Sequence, residues 1–164
     1  MTTAVFDSSV LSPFARAGRL DDLRTMFEGM TLVTTSAVRE ELLNGVGDHP
    51  ALRTVLDAEW LLTAATDGIQ VLLAFVAYRR IFGGCTRDVG EATVLAYAEV
   101  HGATAVIDEQ VAVKHGRDRG VTVIRTLSPI ADCIDQGRFD LGAASPRSPP
   151  HTPEDRASPG RAHG

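Results

Sequence analysis

The sequence predicts an α/β domain in three layers, with a central, mainly parallel sheet of about 4–5 strands flanked by helices. Two observations predict it. Short β-prone runs alternate with longer runs of helical period along the first 141 residues, and an alternation of this kind places strands in parallel with helices covering them. Several strand runs, such as Ala103-Ile107, are apolar at nearly every position, which suits strands buried on both faces.

The elements follow in order. Thr3-Phe6 is β-prone and stops at Asp7, after which Ser8 or Ser9 is suited to cap a helix through Val10-Ala15. A second helix, Leu20-Phe27, ends at Gly29, and Thr31-Val33 forms a buried strand. The cluster Thr34-Thr35-Ser36 then caps the helix Ala37-Leu43, which Asn44-Gly45 closes. His49-Pro50 opens a helix over Ala51-Ala58, Trp60-Thr63 forms a brief strand, and Gly68-Ile81 forms an apolar-faced helix broken by Gly83-Gly84. The remaining expectations are a helix at Gly90-His101, a strand at Ala103-Ile107, a helix at Glu109-Arg117, a strand at Val121-Ile124 and a closing helix at Ser128-Gln136.

At 164 residues with 44% hydrophobic content the chain is long enough to bury one real core. No internal repeat is visible, which sets aside solenoids and propellers. After Leu141 come five of the eight prolines and almost nothing able to pack, so 1-141 is expected to be the folded domain and 142-164 a disordered Pro-rich tail. A net charge of -5 argues against coating nucleic acid through bulk positive charge, while leaving room for a local basic rim. Cys85 and Cys133 lack metal-ligand spacing and make no disulfide framework, which fits a reducing cytoplasm. The first residues carry no basic, apolar leader pattern and no apolar run is long enough to cross a bilayer, so neither secretion nor membrane insertion is expected.

Functional groups in an open parallel sheet gather beyond the carboxyl ends of its strands. Asp7 and Asp108 each follow a strand directly, although Asp is also a favoured helix cap and that reading stays open for either alone. Glu41 lies on a helix beside the stripe marked by Val38 and Leu42, inward of solvent, whereas Glu40 points about 100 degrees further round, toward the exposed face. Glu91 opens a helix that Asp88 or Gly90 can cap, where an acid also complements the helix dipole.

In this order the motifs resemble those of the PIN domain, in particular the small prokaryotic type found as the toxin of VapBC-type toxin-antitoxin pairs. The resemblance rests on V-F-D-S-S-V-L-S-P-F, T-S-A-V-R-E-E-L-L-N-G, D-V-G-E-A-T-V-L-A-Y-A and A-V-I-D-E-Q-V-A-V-K-H-G-R-D-R-G-V-T-V-I-R-T-L. It implies a PIN-like three-layer fold and a four-acid site of Asp7, Glu41, Glu91 and Asp108, with Glu41 chosen over Glu40 by its place before Leu42. Asp88 and Glu109 are accessory candidates.

The resemblance further implies a divalent-metal-dependent endoribonuclease using Mg²⁺ or Mn²⁺, because a carboxylate-held cation both stabilises a phosphodiester's developing charge and activates water. Asp7, Glu91 and Asp108 are then the inner ligands, directly or through water, and Glu41 orients water or a second ion. RNA is the expected substrate, a small antitoxin the expected partner, and a homodimer the expected assembly, with Val71-Tyr78 as a candidate packing face that also reads as a plain core helix. Ser8 or Ser9 is placed to bind water or phosphate if it does not cap. Arg39, Arg87, Lys114 and Arg117 are the positive residues nearest the acid-bearing segments, His115 is a surface residue in this reading, and Trp60 belongs to the core.

Other readings fare less well. A phospho-aspartyl enzyme would want a second acid two positions after Asp7, where Ser9 stands, and a lysine after the Val121-Ile124 strand. A dinucleotide enzyme would want a glycine-rich loop after the first strand. The remaining alternative is a catalytically silent PIN-like module that binds RNA or protein without cutting.

Overall fold

The computed structural model describes residues 2–84, 88–127, 129–130 and 136. Its strands are β1 (Thr3–Phe6), β2 (Thr31–Thr35), β3 (Leu62–Ala64), β4 (Thr104–Val106) and β5 (Val123–Ile124). They form a five-stranded sheet in the order β3-β2-β1-β4-β5, and every pairing is parallel. The helices are α1 (Ser8–Arg16), α2 (Leu20–Met26), α3 (Ser36–Gly45), α4 (Arg53–Leu56), α5 (Ile69–Ile81), α6 (Val89–His101) and α7 (Gln110–Asp118). This is the three-layer α/β arrangement the alternation predicts.

β1 is the centre of the sheet because both its faces are covered: Ala4, Val5 and Phe6 are fully buried. From β1 the chain builds outward through β2 to β3, then returns across the sheet to place β4 on the other side of β1. The crevice beyond the ends of β1 and β4 is therefore a topological switch point, the place where open α/β sheets bind ligands.

Helix α6 is the element most deeply packed there. It buries Ala92, Val94, Leu95, Ala96 and Ala98 against α3, α5, α7 and strands β1, β2 and β4. Small residues let it lie close to the sheet, and it stops at Gly102, whose left-handed φ of 63° suits glycine. Truncating Leu95 to Ala would cost about 2–5 kcal/mol through lost burial and the cavity left behind. A polar lock holds α5, α6 and α7 in register. Arg119 forks onto both oxygens of Glu99 at 2.9 and 2.7 Å, Tyr78 donates to Glu99 at 2.8 Å, and the guanidinium lies over the Tyr78 ring.

Several local expectations shift. Asp7, not Ser8 or Ser9, caps α1, and the cap moves the helix start forward. Strand β2 runs on through Thr35 because Thr34 is held in the sheet by donating to the Phe6 carbonyl at 2.8 Å. The helix expected over Ala51-Ala58 is a short 3-10 turn, Pro50–Leu52, followed by the four-residue α4. The brief strand near Trp60 begins only at Leu62, which is exposed at the sheet edge, while Trp60 packs partly buried against the core. Within Val71-Tyr78, the residues Val71, Ala74 and Tyr78 face inward, whereas Ile69, Leu72, Leu73 and Val76 form an exposed apolar stripe. Cys85, Arg87, Cys133, the tail 142–164 and most of the expected closing helix lie outside the described residues. No helix among the described residues is long and apolar enough to cross a membrane.

Candidate active site

Asp7 occupies the switch point. Its backbone N–H donates across to the Val106 carbonyl of β4 at 3.1 Å, and its Oδ2 accepts the Ser9 N–H at 2.9 Å. The residue is fully buried and its Oδ1 has no hydrogen-bond partner among the described residues. Burial pushes its carboxyl pKa up, the Ser9 and Ser8 hydrogen bonds oppose that, and the Asp108 charge adds to it. Asp7 is thus a helix cap with one oxygen and an uncompensated acceptor with the other.

The remaining acids surround it. Glu91, in the first turn of α6, is partly buried and has no donor to Oε2 among the described residues. Burial raises its pKa to about 7, and the charges of Asp7, Asp88 and Glu41 contribute. Asp88 sits at the cap position of α6 but makes no side-chain cap bond, so its role here is its field on Glu91. Glu41 departs from the expected inward position. The residue as a whole is exposed, yet its carboxylate turns onto α1, where the Ser8 hydroxyl donates to Oε1 at 2.9 Å. Its pKa is raised by burial, lowered by Ser8 and raised again by Asp7. Glu40 makes no such contact and is exposed.

Asp108 is held differently. The Thr126 N–H donates to its Oδ1 at 2.9 Å, the Thr126 hydroxyl donates to its Oδ2 in a short contact, and its own N–H donates to Ser9 Oγ at 3.2 Å. Both Asp108 oxygens therefore already have a donor. Glu109, the other accessory candidate, caps α7 by accepting the Ala112 N–H at 2.7 Å, and it also lines the acidic cavity. That cavity, about 290 Å³, is walled by Ile81, Phe82, Asp88, Glu91, Glu109 and Ala112.

Two residues that the sequence reading left out complete the arrangement. Thr126, nearly buried, stands two residues beyond the end of β5, so the same strand-end rule that singles out Asp7 would have found it. Gly90 carried no such signal except as a cap. A Cβ there would lie 2.9 Å from Glu41 Oε2 and 3.4 Å from Asp7 Oδ1, so the glycine leaves room for the acids of α3 and β1 to meet beside α6. The helices are fixed below this point by a hydroxyl chain. Thr93 donates to the Gly90 carbonyl at 2.8 Å, Thr35 lies 2.9 Å from Thr93, and Thr35 accepts the Val38 N–H at 3.3 Å. A hydroxyl has one hydrogen, so Thr35 is the donor to Thr93.

Of the expected positive residues, Arg39 is committed to the Leu56 carbonyl at 2.6 Å. Arg117 donates to the Val123 carbonyl at 3.1 Å, Lys114 pairs with Asp118 at 2.7 Å, and the His115 ring meets Phe82 edge to face.

The donor set fits a hard divalent cation. Two buried carboxyl oxygens without donors among the described residues, Asp7 Oδ1 and Glu91 Oε2, are what such an ion would compensate. Among the described residues no three Asp, Glu, His or Cys side chains form a ready cage. Mg²⁺ does not require one, since it keeps several waters and is commonly bound by one or two carboxylates together with substrate phosphate.

Comparison with known proteins agrees with this geometry. A family model described as a PIN domain matches residues 3–141. The crystal structure of PAE2754 from Pyrobaculum aerophilum is similar to this chain, with a TM-score of 0.56 and 16% identity over 82% of this chain and 98% of that one. At that identity the likeness is one of fold. No curated protein matches the chain.

Proposed function

The chain belongs to the PIN-domain family, whose fold is of nuclease type, and from that premise we propose that it is a divalent-metal-dependent endoribonuclease acting as the toxin of a type II toxin-antitoxin pair. The observation that carries the proposal is the pair of donorless, buried oxygens on Asp7 and Glu91. A bound Mg²⁺ or Mn²⁺ would supply charge stabilisation at the phosphate and a more acidic water.

In this reading Asp7 and Glu91 are the direct ligands, each offering the oxygen that nothing else engages. Asp108, steadied by Thr126, completes the shell through water. Glu41 keeps one oxygen on Ser8 and orients the attacking water with the other, and its raised pKa suits it to take that water's proton. The phosphate enters over the cavity walled by Asp88, Glu91 and Glu109. Support for a homodimer is the exposed stripe of Ile69, Leu72, Leu73 and Val76 on α5. A small antitoxin covering the acidic cavity follows from the toxin reading alone.

The test is incubation of the purified protein with structured and single-stranded RNAs in Mg²⁺, Mn²⁺ or chelator, beside an Asp7→Asn variant. Metal-dependent cleavage lost in the variant is expected. Cleavage in chelator, or undiminished in the variant, contradicts the mechanism, and metal binding without cleavage of any RNA would favour a silent binding module.

A further inference from the structure

The rim beside the acids carries charge of the opposite sign to the chain as a whole. A groove of about 710 Å³ lies along α7 and the end of β5, lined by Lys114, His115, Arg117 and Arg125, with Asp118 as its one acid among the described residues. Three permanent cations against one carboxylate is a local inversion in a protein of net charge -5. We propose that this groove is the track for the RNA backbone leaving the acidic cavity, with Arg125, Lys114 and Arg117 on its phosphates. The choice of RNA as occupant rests on the nuclease reading.

Three observations support the placement. The groove and the acidic cavity adjoin: Val111, 53% exposed, lines both, and Phe82 of the cavity wall meets the His115 ring of the groove. A strand over Glu91 therefore reaches the α7 groove past the side chain of Val111, which both share. Arg125 directly precedes Thr126, whose N–H and hydroxyl hold Asp108, so the same stretch of backbone carries the support of that acid and a cation of the groove. Arg125 is itself exposed and makes no hydrogen bond or ion pair among the described residues.

The other cations can serve without rebuilding the fold. Arg117 is anchored by one nitrogen on the Val123 carbonyl, which leaves its other donors for a phosphate. Lys114 pairs with Asp118, but both side chains are more than half exposed, and exposed pairs of this kind exchange readily for another anion. On the α3 side Arg39 is likewise anchored by one nitrogen, on the Leu56 carbonyl, but it stands without the cluster of cations that lines the α7 groove. Phosphate contacts of this type position a strand without reading its bases.

The experiment measures binding in the Asp7→Asn background, so that nothing is cut. A short fluorescein-labelled oligouridylate is titrated by anisotropy over a range of salt, comparing this protein with the same protein carrying Arg125→Gln and Lys114→Gln. Arg24→Gln, on a separate cavity of about 780 Å³ that Phe27, Trp60 and Leu62 also line at the other end of the sheet, is the control, and thermal melting confirms that all variants fold. The double variant is expected to bind roughly tenfold or more weakly, and its slope of log K against log salt should be shallower by about 1.4, at about 0.7 per single-strand phosphate lost. Arg24→Gln should leave both unchanged. Absence of binding at low salt, or an equal loss in Arg24→Gln, overturns the groove. Cleavage assays of the protein with Asp7 intact separate the two proposals. Groove-dependent binding without metal-dependent cleavage sinks the hydrolase and keeps the groove, whereas cleavage unaffected by the double substitution keeps the hydrolase and removes the groove.

Discussion

The larger cavity of the domain, about 780 Å³, lies at the end of the sheet where Thr31 enters β2, between Arg24, Phe27, Glu28, Trp60 and Leu62. At the opposite end Asp88, Glu91 and Glu109 line a cavity of about 290 Å³. Size alone would choose the first. Its lining mixes both charge signs with apolar side chains, and none of its side-chain polar atoms is buried without a partner among the described residues. The smaller cavity is lined by Glu91, whose buried Oε2 no donor satisfies among the described residues, and the Asp7 carboxyl, whose charge acts on Glu91, has a second such oxygen. A fold tolerates such groups only where something else compensates them, because an unpartnered buried charge opposes folding. Unsatisfied buried carboxyl oxygens, not volume, are what single out the proposed working end of this sheet.

The strongest way to break that comparison is to change one residue at each end. Asp7→Asn should lower RNA cleavage by roughly three orders of magnitude, the scale of losing a metal ligand, while Trp60→Ala should alter the rate by no more than about twofold. The same Asp7→Asn change removes a buried anion, so the metal-free protein should melt at a higher temperature than wild type. Equal rate losses at both ends in a cleavage time course would dissolve the distinction.

Thr126→Val comes next. It leaves Asp108 with one fewer donor and should reduce metal affinity by about 10–100-fold, as loss of a ligand's supporting partner does, at a stability cost of about 1–3 kcal/mol. Thr126→Ser should restore affinity, whereas a stability loss with unchanged metal affinity would make Thr126 a structural residue only. Gly90→Ala tests crowding. Its methyl would push Glu41 Oε2 aside, so cleavage should fall about tenfold while folding stability changes by less than about 1 kcal/mol, since Ala is the better helix former.

The smallest effect concerns pH. Glu91 has a folded pKa of about 7 against an ordinary 4.5, so the folded state holds its proton where the unfolded chain has lost it. Its contribution to stability is therefore fully present below about 4.5 and declines as pH rises through about 7. The melting temperature of metal-free protein should fall across that window more in wild type than in Glu91→Gln, and Mn²⁺ should reverse the fall above pH 7 as the carboxylate becomes available to it.

How far the site could be read in advance depended on the distance over which each contact is made. Asp7, Asp108 and Glu91 stand where a strand ends or a helix begins, and local pattern locates such positions. Their functions in catalysis remain proposals, but their convergence on one crevice follows from parallel topology. Glu41 required a choice between adjacent acids, and the Ser8 hydroxyl is the contact that distinguishes it from Glu40. Thr126 carries no acid to draw attention to its strand end, its partner Asp108 lying 18 residues back beyond β4, and Gly90 shows its use only against Glu41 of another helix. The cap of α1 was misassigned because Asp7 serves the helix and the crevice with different oxygens, a division that sequence does not display. In the fold, the five parallel strands followed from alternation, whereas the late start of β3 reflects an edge strand with little packing to define it.

The most direct test of the account is a calorimetric titration of Mn²⁺ into wild type, Asp7→Asn and Glu91→Gln at pH 8. The account predicts saturable binding in wild type and loss of most of it in both variants, because the two oxygens without donors are the ones the ion would take. Binding of equal strength in all three proteins would contradict it and move the metal, and the chemistry with it, away from the switch point of the sheet.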